Sequence, residues 1–128
     1  MPRSFADFIQ LIISSLSDEE LQGCLAYAVE RPLRKGDALQ LPGVRVEATA
    51  TSYLAFIDRQ PAANWGHPAR YVIAPQQGGE AQIIEARLPP FQSGSRLNWR
   101  LVYQGTNVPD ALVPQLSTKN KSASRKEP

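Results

Sequence analysis

Ser17-Asp18-Glu19-Glu20-Leu21-Gln22-Gly23-Cys24-Leu25-Ala26-Tyr27-Ala28-Val29-Glu30-Arg31-Pro32 is the stretch whose reading decides the fold class. It opens on a capping box: the Ser17 hydroxyl can accept from the Glu20 amide while the Glu20 carboxylate reaches back to the Ser17 amide. Leu21, Cys24, Leu25, Ala28 and Val29 then recur at the three-four spacing of one helical face. The spacing predicts a helix that runs to Pro32, because a residue before proline is pushed out of helical geometry. Gly23 costs such a helix about 1 kcal/mol relative to alanine. Its place there suits a close approach by a neighbouring helix.

That neighbour precedes it. Phe5, Phe8, Ile9, Ile12, Ile13 and Leu16 mark one face of a first helix. Ser4 is placed to cap it, and Asp7 lies in the first turn, where the helix dipole favours a negative charge.

Downstream the period changes to two. Asp37 to Leu41 is a short strand closed by the turn signal Pro42-Gly43. Val44, Val46, Ala48 and Ala50 alternate with polar residues, and Ser52 to Asp58 follows as a more apolar strand, either continuous with it or joined at Thr51-Ser52. Arg70 to Ala74, Ala81 to Leu88 and Leu97 to Tyr103 are further strands. They are separated by Gln76-Gln77-Gly78-Gly79, by Pro89-Pro90 and by Ser93-Gly94-Ser95. Val108 to Pro114 is a proline-bounded apolar segment suited to covering a sheet edge. The expected fold is α+β: two N-terminal helices packed on one face of a five- to six-stranded, mainly antiparallel sheet, a meander. Matched periods predict one core joining Phe8, Ile9, Ile12, Leu25 and Val29 with Val46, Phe56, Val72, Ile84 and Leu101.

Length and charge set the frame. A chain of 128 residues suits a single domain, here residues 1–116. Residues 117–128 hold Lys119, Lys121, Arg125 and Lys126 against Glu127, without aromatics, and are expected to be a disordered basic tail. The remainder is near neutral, with ten basic and eleven acidic side chains, so it offers no general field for a polyanion. Nucleic acid is therefore not an expected partner of the body, and a role for the tail as an accessory nucleic-acid contact is the third of three readings. No run approaches the length needed to cross a membrane. One cysteine, Cys24, allows no internal disulfide and fits a reducing, cytoplasmic location.

Catalytic signals are weak. Cys24 and His67 are the sole thiol and imidazole, but Cys24 lies on an apolar stripe, where a thiol acts as a small hydrophobe. One histidine and one cysteine do not make a zinc site, and nothing singles out a carboxylate pair such as Asp58 with Glu85. Gly78-Gly79 does not open a phosphate-binding helix. No cofactor, metal or catalytic residue is assigned. Asn120-Lys121-Ser122 matches a glycosylation acceptor by composition alone.

The unusual stretch is Gln60-Pro61-Ala62-Ala63-Asn64-Trp65-Gly66-His67-Pro68, between two strands. Either Trp65 tucks back over the sheet as an internal plug, or the loop presents an indole, an amide and an imidazole to a partner. Asp58 and Arg70 flank it and are expected to face each other across its base. The binding set is thus Asp58, Asn64, Trp65, His67 and Arg70. The first functional reading is a small non-catalytic interaction module using the 59–70 loop and the adjoining sheet face, with another protein or larger assembly as partner. The second is a small enzyme or small-molecule carrier with a pocket between helices and sheet.

Overall fold

Cys24 is where the chain leaves the helix that the spacing predicts. The computed structural model describes residues 2–63, 66–91 and 97–114. In it the first helix, α1, spans Phe5–Ser14 and the second, α2, only Asp18–Gly23. Both capping boxes form, Ser4 with Asp7 and Ser17 with Glu20. Cys24 is extended, with φ −105° and ψ 166°, and Leu25–Leu33 is a strand, β1. The helical reading of residues 24–31 is therefore corrected. β1 is paired on both sides and buried on both faces, so it reads as an unbroken apolar run that periodicity cannot separate from a helix. Pro32 does not stop a helix. It lies between Val29 and Leu33, where the ladder shifts register, a place where a missing N–H costs little.

Six further strands follow: β2 (Ala38–Leu41), β3 (Val44–Glu47), β4 (Ser52–Asp58), β5 (Ala69–Pro75), β6 (Gln82–Ala86) and β7 (Trp99–Gln104). The α+β class with an antiparallel sheet holds. The main sheet has five strands in the order β6-β5-β4-β1-β7, all antiparallel. Only β4, β5 and β6 form a meander. β1 takes the other edge of β4, and β7 returns to pair with β1. β2 and β3 make a separate hairpin around Pro42-Gly43, where Gly43 takes φ +73°, open to glycine at no steric cost.

The sheet splits the core in two, which corrects the expectation of one. On one face Phe8, Ile12 and Leu16 pack with Cys24, Ala26, Ala28, Tyr53, Ala55, Ile57, Val72 and Ala74. The four alanines leave room for α1 to lie close, and Phe8 stacks on Tyr53 with ring centroids 5.3 Å apart. On the other face Leu25, Tyr27, Val29, Leu54, Phe56, Tyr71 and Trp99 form an aromatic layer. The β2–β3 hairpin closes over it with Leu41 and Val46. Ile9 is half-buried and belongs to neither layer. Replacing Ile12, 1% exposed, by alanine is expected to cost about 2–5 kcal/mol in equilibrium urea unfolding. A loss below about 0.5 kcal/mol would mean that α1 does not hold the sheet.

The chain ends its described part by folding back. Val108 enters the aromatic layer, and Asp110–Leu112 is a 3-10 turn. The predicted basic tail, 117–128, lies outside the described residues. No helix among the described residues is long and apolar enough to cross a membrane.

Candidate functional site

The loop between β4 and β5 is stitched down by the residues at its base. Asp58 ends β4, and its Oδ1 accepts the Gln60 N–H at 3.1 Å, an Asx turn that starts the loop. The same oxygen lies 2.7 Å from His67 Nε2, and both side chains are only 6% exposed. The two side chains form a buried hydrogen bond in which donor and acceptor follow the tautomer of the ring. Gly66 takes φ +102°, which favours glycine, and donates its N–H to the Arg87 carbonyl at 3.1 Å.

Asp58 and Arg70 do not face each other, contrary to expectation. In the ladder Asp58 pairs with Ala69 and Arg70 with Ile57. Alternation therefore points Asp58 to the aromatic layer and Arg70 to the α1 side. Arg70 instead grips Glu20 of α2 in a two-pronged bond, Nη1 to Oε2 at 2.6 Å and Nη2 to Oε1 at 3.0 Å. Arg59 Nε donates to Glu20 Oε2 at 2.8 Å, and the Ser17 N–H donates to Oε1 at 3.0 Å. The bonds from Arg70 hold the buried Glu20 carboxyl down at about 2, against its desolvation, with the Ser17 N–H and the Arg59 charge helping. The pairing raises Arg70 in turn. One residue thus caps α2 and ties it to both ends of the loop. Glu20 and Arg59 were absent from the predicted set. The capping box did flag Glu20, but nothing in the spacing linked position 20 to positions 59 and 70.

Of the five predicted site residues, Asp58 and His67 form one buried pair and Arg70 belongs to the Glu20 cluster. Asn64 and Trp65 lie outside the described residues. On either side of the 59–63 arm the surface is concave. One groove, about 450 Å³, is lined by Gly23, Gln60, Pro61, Ala62, Ala63, Asn107, Val108 and Leu112, and is mainly apolar. The other, about 320 Å³, is lined by Glu19, Glu20, Gly23, Arg59, Gln60 and Pro68. Gly23 and Gln60 belong to both, so the arm is a ridge between an apolar and a charged hollow. The 105–107 turn that walls the apolar groove is tied to α2. Gly105, Thr106 and Asn107 donate their N–H groups to the carbonyls of Cys24, Leu21 and Gln22 at 2.8, 3.2 and 2.8 Å. Tyr103 Oη also donates to the Leu21 carbonyl.

Burial pushes the Cys24 thiol up to about 12, with the Glu20 charge adding to it. It remains a thiol at neutral pH, the protonation state opposite to that of a nucleophile. Cys24 also packs in the α1 layer, on the other side of the sheet from the direction of Asp58. Among the described residues no three of His, Cys, Asp or Glu gather as a metal ion requires. No protein-family model, curated protein or solved structure matches the chain.

Proposed function

We propose that the chain is a small non-catalytic binding module, and that the apolar groove beside the 59–63 arm takes side chains of a linear segment of a partner protein. The observation that carries this reading is the combination of that concavity with a rigid wall. The Asp58–His67 pair and the Glu20–Arg59–Arg70 cluster hold the arm from both flanks, so the groove does not have to be ordered at the moment of binding. Its volume lies in the range of ordinary ligand sites. Pro61, Ala62, Val108 and Leu112 supply apolar contact. The Gln60 side-chain amide, on the rim, has no partner among the described residues and suits a peptide backbone.

The test is selection of the full chain against a displayed library of short linear peptides, followed by titration of the enriched peptides. Ala62 is exposed on the groove wall, so Ala62→Arg should keep the melting temperature while weakening peptide binding at least about tenfold, equivalent to about 1.4 kcal/mol. Asn98→Arg, in a separate hollow near the bulged end of β1, should leave binding unchanged. A library that yields no binder, or peptides indifferent to Ala62→Arg, overturns the reading.

A further inference from the structure

Two hydrogen-bond donors lie inside the aromatic layer without an acceptor. Tyr71 is 0% exposed and Trp99 7%. The Tyr71 Oη and Trp99 Nε1 atoms are buried and have no partner among the described residues. Buried tyrosine hydroxyls and indole N–H groups normally find one. Other tyrosines of this chain do: Tyr53 Oη accepts from Gln76 at 3.4 Å, and Tyr103 Oη donates to the Leu21 carbonyl. The two orphaned groups also converge. Tyr71 stands on β5 and Trp99 on β7, with β4 and β1 between them. Their ring centroids are nonetheless only 6.4 Å apart, little more than one strand spacing of about 4.8 Å. The two side chains therefore reach toward each other across the middle of the layer. A phenylalanine at position 71 would fill the same space without a desolvated hydroxyl, so packing alone does not account for the tyrosine.

We propose that Tyr71 and Trp99 form an interior binding site for an uncharged acceptor oxygen. Two donors select an atom with lone pairs to receive them. Burial raises the Tyr71 hydroxyl above its ordinary value, so it keeps its proton and donates. Charge selects against a carboxylate or a phosphate. The layer holds no cationic side chain, and the acidic side chain directed toward it is Asp58. An anion there would be buried without a counter-charge. The oxygen has two sources: a water held inside the layer, or the carbonyl of a small apolar guest whose remainder packs on Phe56 and Phe91, which adjoin Tyr71 and Trp99. The cover of the layer gives either a way in. The β2–β3 hairpin lays Leu41 and Val46 on it, but its ladder joins only its own two strands. Its other hydrogen bonds among the described residues stay within residues 34–48. Apolar packing holds it down, so it can lift without breaking a rung of the main sheet.

The experiment follows the Trp99 indole N–H of the full chain by NMR, with the signal assigned through Trp99→Phe. Cross-relaxation with water is measured first, and acetophenone and ethylbenzene are then titrated. These two probes are close in size and differ by the carbonyl oxygen. With water as the occupant, the indole proton shows a long-lived water contact that Tyr71→Phe removes. With a guest as the occupant, acetophenone shifts the indole signal and binds at least about tenfold tighter than ethylbenzene. Tyr71→Phe, which keeps the ring and its packing, then brings the two affinities together. Either pattern supports the site and identifies the source of its oxygen. An indole proton with neither a long-lived water contact nor a preference for acetophenone overturns the proposal. So does a water contact or a preference that survives Tyr71→Phe.

Discussion

Replacing Glu20 by glutamine should destabilise the protein by about 3 kcal/mol at neutral pH and flatten its acid denaturation. Glutamine is nearly the same size and can still serve the capping box with Ser17, so the loss reports the charge. Glu20 is 7% exposed and Arg70 14%. Removing the carboxylate leaves a guanidinium that is largely out of water without its counter-charge, a change that costs several kcal/mol in comparable buried pairs. The pKa displacement leads to the same size. A carboxyl lowered from 4.5 to about 2 corresponds to about 3 kcal/mol at 1.36 kcal/mol per unit. The sign follows from linkage: a depressed carboxyl contributes its full stability above its unfolded value and loses it as pH falls through the folded one. Melting temperature should therefore hold steady above about pH 5 and decline between about pH 4.5 and 2, and the Glu20→Gln protein should lack that share of the decline. Arg59 makes a useful contrast. Its side chain is 43% exposed, so Arg59→Ala should cost no more than about 1 kcal/mol. A Glu20→Gln loss no larger than that of Arg59→Ala would show that Arg70 is solvated without Glu20 and that the cluster does not lock α2 to the loop.

The same cluster explains why the site was only partly legible in the sequence. Features written within a few residues were readable: the Ser4 cap, the Ser17–Glu20 box, the Pro42-Gly43 turn, the Gly78-Gly79 turn and the β4 and β5 strands all form. Features that depend on long-range pairing were not. Residues 25–29 carry apolar side chains on both faces because β4 and β7 flank them and two layers cover them. Their period is that of a central strand, and a central strand has no polar face to betray it. The loop stands out in the sequence by its composition. Its charged residues were assigned to each other across its base, whereas strand alternation sends Asp58 and Arg70 to opposite faces. Their actual partners, His67 and Glu20, lie at separations that no local rule connects. The groove is more distant still, since Val108 and Leu112 reach it only because β7 ends beside α2.

That junction carries the second large effect. Gly105→Ala should destabilise by about 3 kcal/mol or more and spoil the apolar groove together with the fold. A Cβ on Gly105 would stand 2.5 Å from the Gln22 carbonyl oxygen, 2.7 Å from its carbon and 2.9 Å from the Cys24 nitrogen. All three are backbone atoms, so no side chain can swing aside. Relief requires parting the 105–107 turn from α2, where three N–H donors reach the carbonyls of residues 21, 22 and 24. Overpacking alone typically costs about 1–3 kcal/mol, and each backbone bond stretched or lost adds about 0.5–1.5 kcal/mol. The comparison that isolates this contact is Gly23→Ala. The sequence assigns the close approach to Gly23, but a Cβ there meets nothing within 4 Å. Gly23→Ala should therefore be neutral or stabilising by up to about 1 kcal/mol, as for glycine replaced within a helix. The two alanine variants, compared by urea unfolding, should thus move in opposite directions or nearly so. If Gly105→Ala unfolds at the wild-type midpoint, the turn does not clasp α2, and the far wall of the groove is not held in place by the contacts described above.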